Sequence, residues 1–200
     1  GRTTHGLMHA ATAVERGAVA VLWEPGADLE APVLPERVAA IAIPHLSRHV
    51  GALADRFFRR PSADLRVAGI TGTNGKTTTA FLLHAILESS GMHSGLMGTV
   101  KQLVGGEQEE VTRTTPEAID LQHTFRRMAD AGDEACVIEV SSHAMVLHRC
   151  DAIDFDLAVF TNLTQDHLDF HSDMEEYFQA KRLLFAASPR HSVVNLDDPY

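Results

Sequence analysis

Residues 66–80, Arg-Val-Ala-Gly-Ile-Thr-Gly-Thr-Asn-Gly-Lys-Thr-Thr-Thr-Ala, constrain this chain more than any other stretch. Val67 to Ile70 is a short apolar run that reads as a buried strand. Gly72 to Gly75 reads as a turn, and Lys76-Thr77-Thr78 opens an amphipathic helix carrying Phe81, Leu82, Ala85, Ile86 and Leu87. Strand, glycine turn and helix start together make a phosphate-binding loop, because backbone N–H groups and a helix N-terminus then face one anion. The usual pattern has four residues between its first glycine and Gly-Lys, which puts that glycine where Ile70 stands, so the match is to a shorter loop, Gly72-x-x-Gly75-Lys76-Thr77. On this reading Gly72, Thr73, Asn74, Gly75, Lys76, Thr77 and Thr78 hold the phosphates of a nucleotide. Lys76 reaches the β- and γ-phosphates, and the Thr77 hydroxyl holds Mg²⁺.

The chain has 200 residues, of which 44% are apolar, so it can bury a real core in one large or two small domains. Its net charge of −10 argues against a broad nucleic-acid surface, although a local phosphate pocket remains compatible with it. Cys136 and Cys150 are too few for a disulfide framework and read as plain thiols of a reducing compartment. No apolar run reaches membrane-spanning length and the N-terminus has no signal-peptide pattern, which points to the cytoplasm. The start at Gly1 and the stop at Tyr200, just after an expected strand over residues 192–196, read as a stretch of a longer protein.

Residues 5–16 have helical spacing, 18–22 and 38–43 read as strands around a loop at 25–35, and 45–58 reads as a helix with Leu46, Val50, Leu53 and Phe57 on one stripe. Arg59-Arg60-Pro61-Ser62 breaks that helix and is the expected domain boundary. Residues 1–61 are then part of a small α/β N-terminal domain, and 62–200 are the first part of a nucleotide-binding domain. There, 94–100 reads as a strand and 103–111 as a hairpin around Gly105-Gly106. Residues 117–131 read as a helix with Thr115 as N-cap and Pro116 at its first position. Residues 135–140 and 157–161 are buried strands, and 174–187 is a helix containing Lys181. Strands alternating with helices imply an α/β fold with a mainly parallel sheet, whose ligands gather at the carboxyl ends of strands.

Three polar clusters fall at such ends: the phosphate loop, Glu139-Val-Ser-Ser-His143, and Asn162-Leu-Thr-Gln-Asp-His-Leu-Asp169. Glu139 is a carboxylate inside an apolar strand and needs a partner, which can be Mg²⁺ beside the phosphates or a buried arginine. His167 suits softer metals than Mg²⁺ and reads equally as a structural histidine. Ser141-Ser142-His143 lacks the Gly-x-Ser-x-Gly of a nucleophile elbow, which sets hydrolase chemistry aside.

Together with Lys181-Arg-Leu-Leu-Phe185, these motifs resemble, in order across residues 66–185, the Mur ligases of peptidoglycan synthesis. The likeness is greatest to the members that add the third amino acid. The resemblance implies that ATP phosphorylates the carboxylate of UDP-N-acetylmuramoyl-L-Ala-D-Glu, and that the amine of an incoming amino acid attacks the acyl phosphate. It implies that Lys76 is catalytic and that Thr77, Glu139, His167 and a carbamylated, catalytic Lys181 serve Mg²⁺. Thr114, Thr115, Ser141 and Arg149 fall where the family binds the muramoyl-dipeptide, and Leu147 stands where relatives can carry a glutamine contact. Residues 1–60 resemble the later part of the UDP-binding domain. A cytoplasmic monomer is implied, with the C-terminal domain outside this stretch and the stretch by itself inactive. Diaminopimelate is the preferred third residue over lysine. The rival readings are a folylpolyglutamate synthase-like ligase, and a P-loop GTPase or non-catalytic nucleotide module. Thr114-Thr115-Pro116 and Ser-Ser-His-x5-Arg149 favour the muramoyl substrate over folate, and the chain has no Asn-Lys-x-Asp segment to read guanine.

Overall fold

A computed structural model describes residues 6–26, 29–111, 113–167 and 169–200. The chain divides into two compact units, Gly1–His49 and Val50–Tyr200.

In the first unit a 3-10 turn, Gly6–His9, leads into α1 (Ala10–Glu15), and β1 (Ala20–Trp23) pairs in parallel with β2 (Ala39–Ala42). Residue 5 of the expected helix lies outside the described residues.

The expected helix over 45–58 begins instead as a separate 3-10 turn, Leu46–Arg48, after His45 in the left-handed region, and α2 (Val50–Phe57) follows. The two units part at His49, ahead of the break expected at 59–62. The reason is that α2 belongs to the second unit and packs there through small residues. Gly51 and Ala54 are buried, whereas Leu53 and Phe57 of the expected stripe are exposed. A Cβ on Gly51 would lie 3.6 Å from Ala152 Cβ, so the close approach excludes the larger side chains.

The second unit holds a seven-stranded sheet in the order β6-β5-β4-β7-β3-β8-β9. Its strands are β3 (Arg66–Thr71), β4 (Ser94–Met97), β5 (Gln102–Val104), β6 (Glu107–Glu109), β7 (Ala135–Glu139), β8 (Phe155–Phe160) and β9 (His191–Val194). β4, β7, β3, β8 and β9 run parallel, and β5 and β6 form the antiparallel hairpin at one edge. The central strands are apolar on both faces because helices cover both. Cys136 and Ile138 of β7 pack with Leu121, Phe125 and Met128 of α4 (Ala118–Ala131), while Val137 points the other way, with Ile70 and Leu96, toward α3 (Lys76–Ser89). α5 (Ser142–Val146) and α6 (Met174–Ala186) complete the unit, and Asp173 caps α6 by accepting from Glu176 N–H at 2.8 Å.

Three expectations change in detail. β4 ends at Met97, so Gly98 and Thr99 leave the sheet as a bend. α4 starts at Ala118 with Glu117 in the cap position. Thr115 is not its cap, because the Thr115 hydroxyl donates instead to Glu139 O at 2.9 Å. The strand order then decides where chemistry can occur: β4, β7, β3 and β8 are neighbours, so their carboxyl ends and the polar loops that follow lie side by side.

Candidate functional site

The strand, glycine turn and helix start expected over residues 66–80 are present, and the turn is tied to the loop after β8. Thr73 N–H donates to Asn162 O (2.8 Å) and Asn74 N–H to Asn162 Oδ1 (3.0 Å), while Thr161 Oγ1 and Asn162 Nδ2 donate to Asn74 O at 2.7 and 3.0 Å. Gly72 has φ 142°, and a Cβ there would meet Thr161 Oγ1 at 1.9 Å, so both the conformation and the space demand glycine. Lys76 Nζ folds back onto the carbonyls of Gly72 (2.9 Å) and Thr73 (2.8 Å).

Lys181 reaches the same point from α6. It is only 2% exposed, and its Nζ donates to Gly72 O at 2.9 Å above the Tyr177 ring, 4.2 Å from the centroid. Burial, and after it the charge of Lys76, push the Lys181 amine down to about 7 from the usual 10.5. Burial also lowers Lys76, partly offset by Glu139 and Asp166. Two amines on one carbonyl in a dry pocket disfavour two charges there.

Glu139, 1% exposed, does not pair with an arginine among the described residues; three donors face it instead. Thr77 Oγ1 donates to Oε2 (3.0 Å), Thr99 N–H to Oε1 (2.9 Å) and Thr99 Oγ1 to Oε2 (3.1 Å). Gly98 makes room for this carboxylate, since a Cβ there would sit 2.2 Å from Oε1.

A cleft of about 490 Å³ opens from these groups and joins most of the expected site. Lys76, Thr114, Thr115, Ser141, Arg149, His167 and Lys181 line it, as do Arg113, Thr99 and Leu147, and no carboxylate of the described residues is on its wall. Arg149 is held by Thr115 O (3.1 Å from NH1) and Glu117 Oε1 (2.8 Å from NH2), and Arg113 pairs with the same Glu117 oxygen. The Arg149 Nε is buried without a hydrogen-bond partner among the described residues. His167, with φ 53°, stacks edge-on to His143 at 5.0 Å. Leu168 of that motif lies outside the described residues.

Among the described residues no three His, Cys, Asp or Glu side chains are grouped to hold a metal. Mg²⁺ does not need such a cage, because it keeps several waters and takes one or two protein oxygens with substrate phosphates. The adjacent Thr77 and Glu139 oxygens beside the phosphate loop fit that donor set.

Sequence reasoning missed Thr99, Glu117 and Tyr177. Gly-Thr at the end of a parallel strand was a usable signal for Thr99. Tyr177 stands one helical turn before Lys181, where i and i+4 side chains meet, and its hydroxyl lies 3.3 Å from Thr73 Oγ1. No helix among the described residues is long and apolar enough to cross a membrane.

The family model for the Mur ligase middle domain matches residues 70–200. UDP-N-acetylmuramoyl-L-alanyl-D-glutamate--2,6-diaminopimelate ligase of Bacillus licheniformis is 44% identical over 207 residues, covering 100% of this chain and 41% of that protein. A solved structure of a ligase of the same name has a TM-score of 0.78 at 29% identity, over 96% of this chain and 38% of the other. E. coli FolC in complex with ADP, at 21% identity and a TM-score of 0.57 over 76% of this chain and 42% of that one, shares the fold alone. The chain thus spans about two fifths of the curated relative it matches.

Proposed function

The chain belongs to the Mur ligase family, through that family's middle domain, and from that premise we propose that the protein adds the third amino acid to UDP-N-acetylmuramoyl-L-Ala-D-Glu at the expense of ATP, with diaminopimelate as that amino acid. One observation supports the reading: Lys76 and Lys181 line a single cleft together with Thr114, Thr115, Ser141 and Arg149, and no carboxylate of the described residues lines it.

In this reading the loop N–H groups and Lys76 hold the β- and γ-phosphates. Lys76 leaves the Gly72 and Thr73 carbonyls to do so, exchanging two neutral acceptors for charged ones. Arg149, Thr114, Thr115 and Ser141 hold the muramoyl-dipeptide so that its free carboxylate meets the γ-phosphoryl group in line. Thr77, Glu139 and His167 would hold Mg²⁺, which would supply charge neutralisation at the phosphoryl oxygens. Lys181 has the low basicity needed to keep a neutral amine, which can add CO₂ with loss of a proton; the resulting carbamate is an oxygen ligand on a long stem. A cytoplasmic location and a monomeric state complete the proposal.

The test is Lys76→Ala in the intact protein. Dipeptide-dependent phosphate release should fall by at least about 10²-fold, the usual loss for a donor aimed at developing charge, while the circular dichroism spectrum is retained. Near-normal turnover in a folded variant would refute the assignment.

A further inference from the structure

Thr77, Glu139, Thr99 and Thr114 form a continuous hydrogen-bonded chain that ends on the wall of the cleft, and its direction follows from the hydrogens each group has to give. An ionised carboxylate has only lone pairs, and each threonine hydroxyl has one hydrogen. Thr99 Oγ1 donates to Glu139 Oε2 at 3.1 Å, which uses its hydrogen. Thr114 Oγ1 lies 3.1 Å from Thr99 Oγ1, so Thr114 must be the donor in that pair. Its hydrogen is then committed, and Thr114 shows the cleft lone pairs alone.

Beside it the polarity is reversed. The Thr115 hydrogen is shared between Glu139 O (2.9 Å) and Ser141 Oγ (3.3 Å), and Ser141 Oγ also accepts from Ala144 N–H (3.2 Å), so Ser141 acts as acceptor in both contacts and keeps its hydrogen for a ligand. Arg149 has further N–H groups beyond the two bonds that position it. The wall thus places an acceptor at Thr114 next to donors at Ser141 and Arg149.

We infer that Thr99 is a positioning residue: it fixes Thr114 as an acceptor, so the cleft selects a ligand that presents an N–H donor beside its carboxylate, the unit of an N-acylated amino acid. This rests on the proposed substrate, where the unit is the amide that joins L-Ala to D-Glu. The donor read by Thr114 is that amide N–H, while the glutamyl carboxylate goes to Ser141 and Arg149.

The experiment compares two probes by calorimetry on the intact protein: UDP-N-acetylmuramoyl-L-Ala-D-Glu, and its depsipeptide counterpart with ester oxygen in place of that one N–H. Wild type should bind the ester about tenfold more weakly, because an oxygen then faces the Thr114 lone pairs. Thr99→Ser keeps the hydroxyl and should keep this ratio. Thr99→Val keeps the shape and the N–H bond to Glu139 but frees the Thr114 hydrogen to turn toward the ester, so its ratio should fall to about twofold or less. A purely structural Thr99 would weaken both probes alike; a wild-type ratio in Thr99→Val would overturn the inference, as would equal binding of both probes by wild type. If wild type bound neither probe, the substrate reading itself would fail and the inference with it.

Discussion

Between Gly72 and Lys76 five consecutive residues make the phosphate loop, and its shape is set by backbone. The hydroxyl seam beside it joins Thr77 to Glu139, 62 residues on, and Glu139 to Thr99, 40 residues back. The loop's own part in its bonds to Asn162 and Thr161 is made by backbone N–H and C=O groups, which do not depend on its side chains, with glycine required where φ or space demands it. The seam depends on three hydroxyls and one carboxylate arriving from separate strand ends. A contiguous site tolerates drift elsewhere in the fold, whereas an assembled one transmits it. The two should therefore fail differently when perturbed.

The largest effect is expected where α6 meets the loop. Lys181→Ala should lower turnover of the intact protein by about 10²–10³-fold or more, with partial recovery on adding acetate, whose carboxylate can stand in for the missing oxygen ligand. Lys181→Arg should fail as well, since guanidinium stays protonated and forms no carbamate. Steady-state phosphate release at saturating Mg²⁺ and ATP decides it, and full activity in Lys181→Arg would reduce Lys181 to a buried structural charge. The loop itself should survive both changes, because its bonds to Asn162 do not involve α6.

A smaller loss is expected from a single methyl group on the seam. In Gly98→Ala the new Cβ would lie 2.2 Å from Glu139 Oε1, so the carboxylate must move off its Thr77 and Thr99 donors. Displacing the groups that orient a metal ligand commonly costs about 10–100-fold in metal affinity. Titration of the activity with Mg²⁺ should show that rise in the concentration needed. An unchanged Mg²⁺ dependence would mean that Glu139 does not serve the metal.

The same contrast explains what could be read from the chain. β3, β7 and β8 are short apolar runs, so the parallel centre of the sheet was legible, and with it the placement of polar loops at one edge. The phosphate loop was legible because all its determinants are local. α2 was misread because Gly51 and Ala54, not its large apolar residues, let it approach its neighbour, and sequence periodicity ranks size above fit. Thr115 was misread because a threonine before proline and an acid has the composition of a helix cap, whether its hydroxyl caps or crosses to another strand. Thr99 carried only the weak local signal of Gly-Thr at a strand end, since its partners lie in β7 and in the loop before α4. Lys181 looked like a surface charge until family likeness drew attention to it, and its burial against Tyr177 is a property of the packed fold.

The smallest effect sharpens the comparison by using Lys181 as a probe of dryness at the loop. Its amine is pushed down to about 7 by burial and then by Lys76, from 10.5. Below about pH 7 the folded and unfolded chains both hold this proton, so Lys181 contributes a constant burial penalty. Between about 7 and 10.5 only the unfolded chain holds it, so the unfolded state binds more protons and stability rises with pH. The gain is at most about 1.4 kcal/mol per pH unit in that window. Comparing the protein with Lys181→Met cancels the other titrating groups. In CO₂-free buffer with chelator, urea unfolding at about pH 8 and about pH 9 should show wild type gaining on the methionine variant as pH increases. Wild type and variant changing in parallel would mean that water reaches the amine, and that the pocket beneath the phosphate loop is wetter than its packing implies.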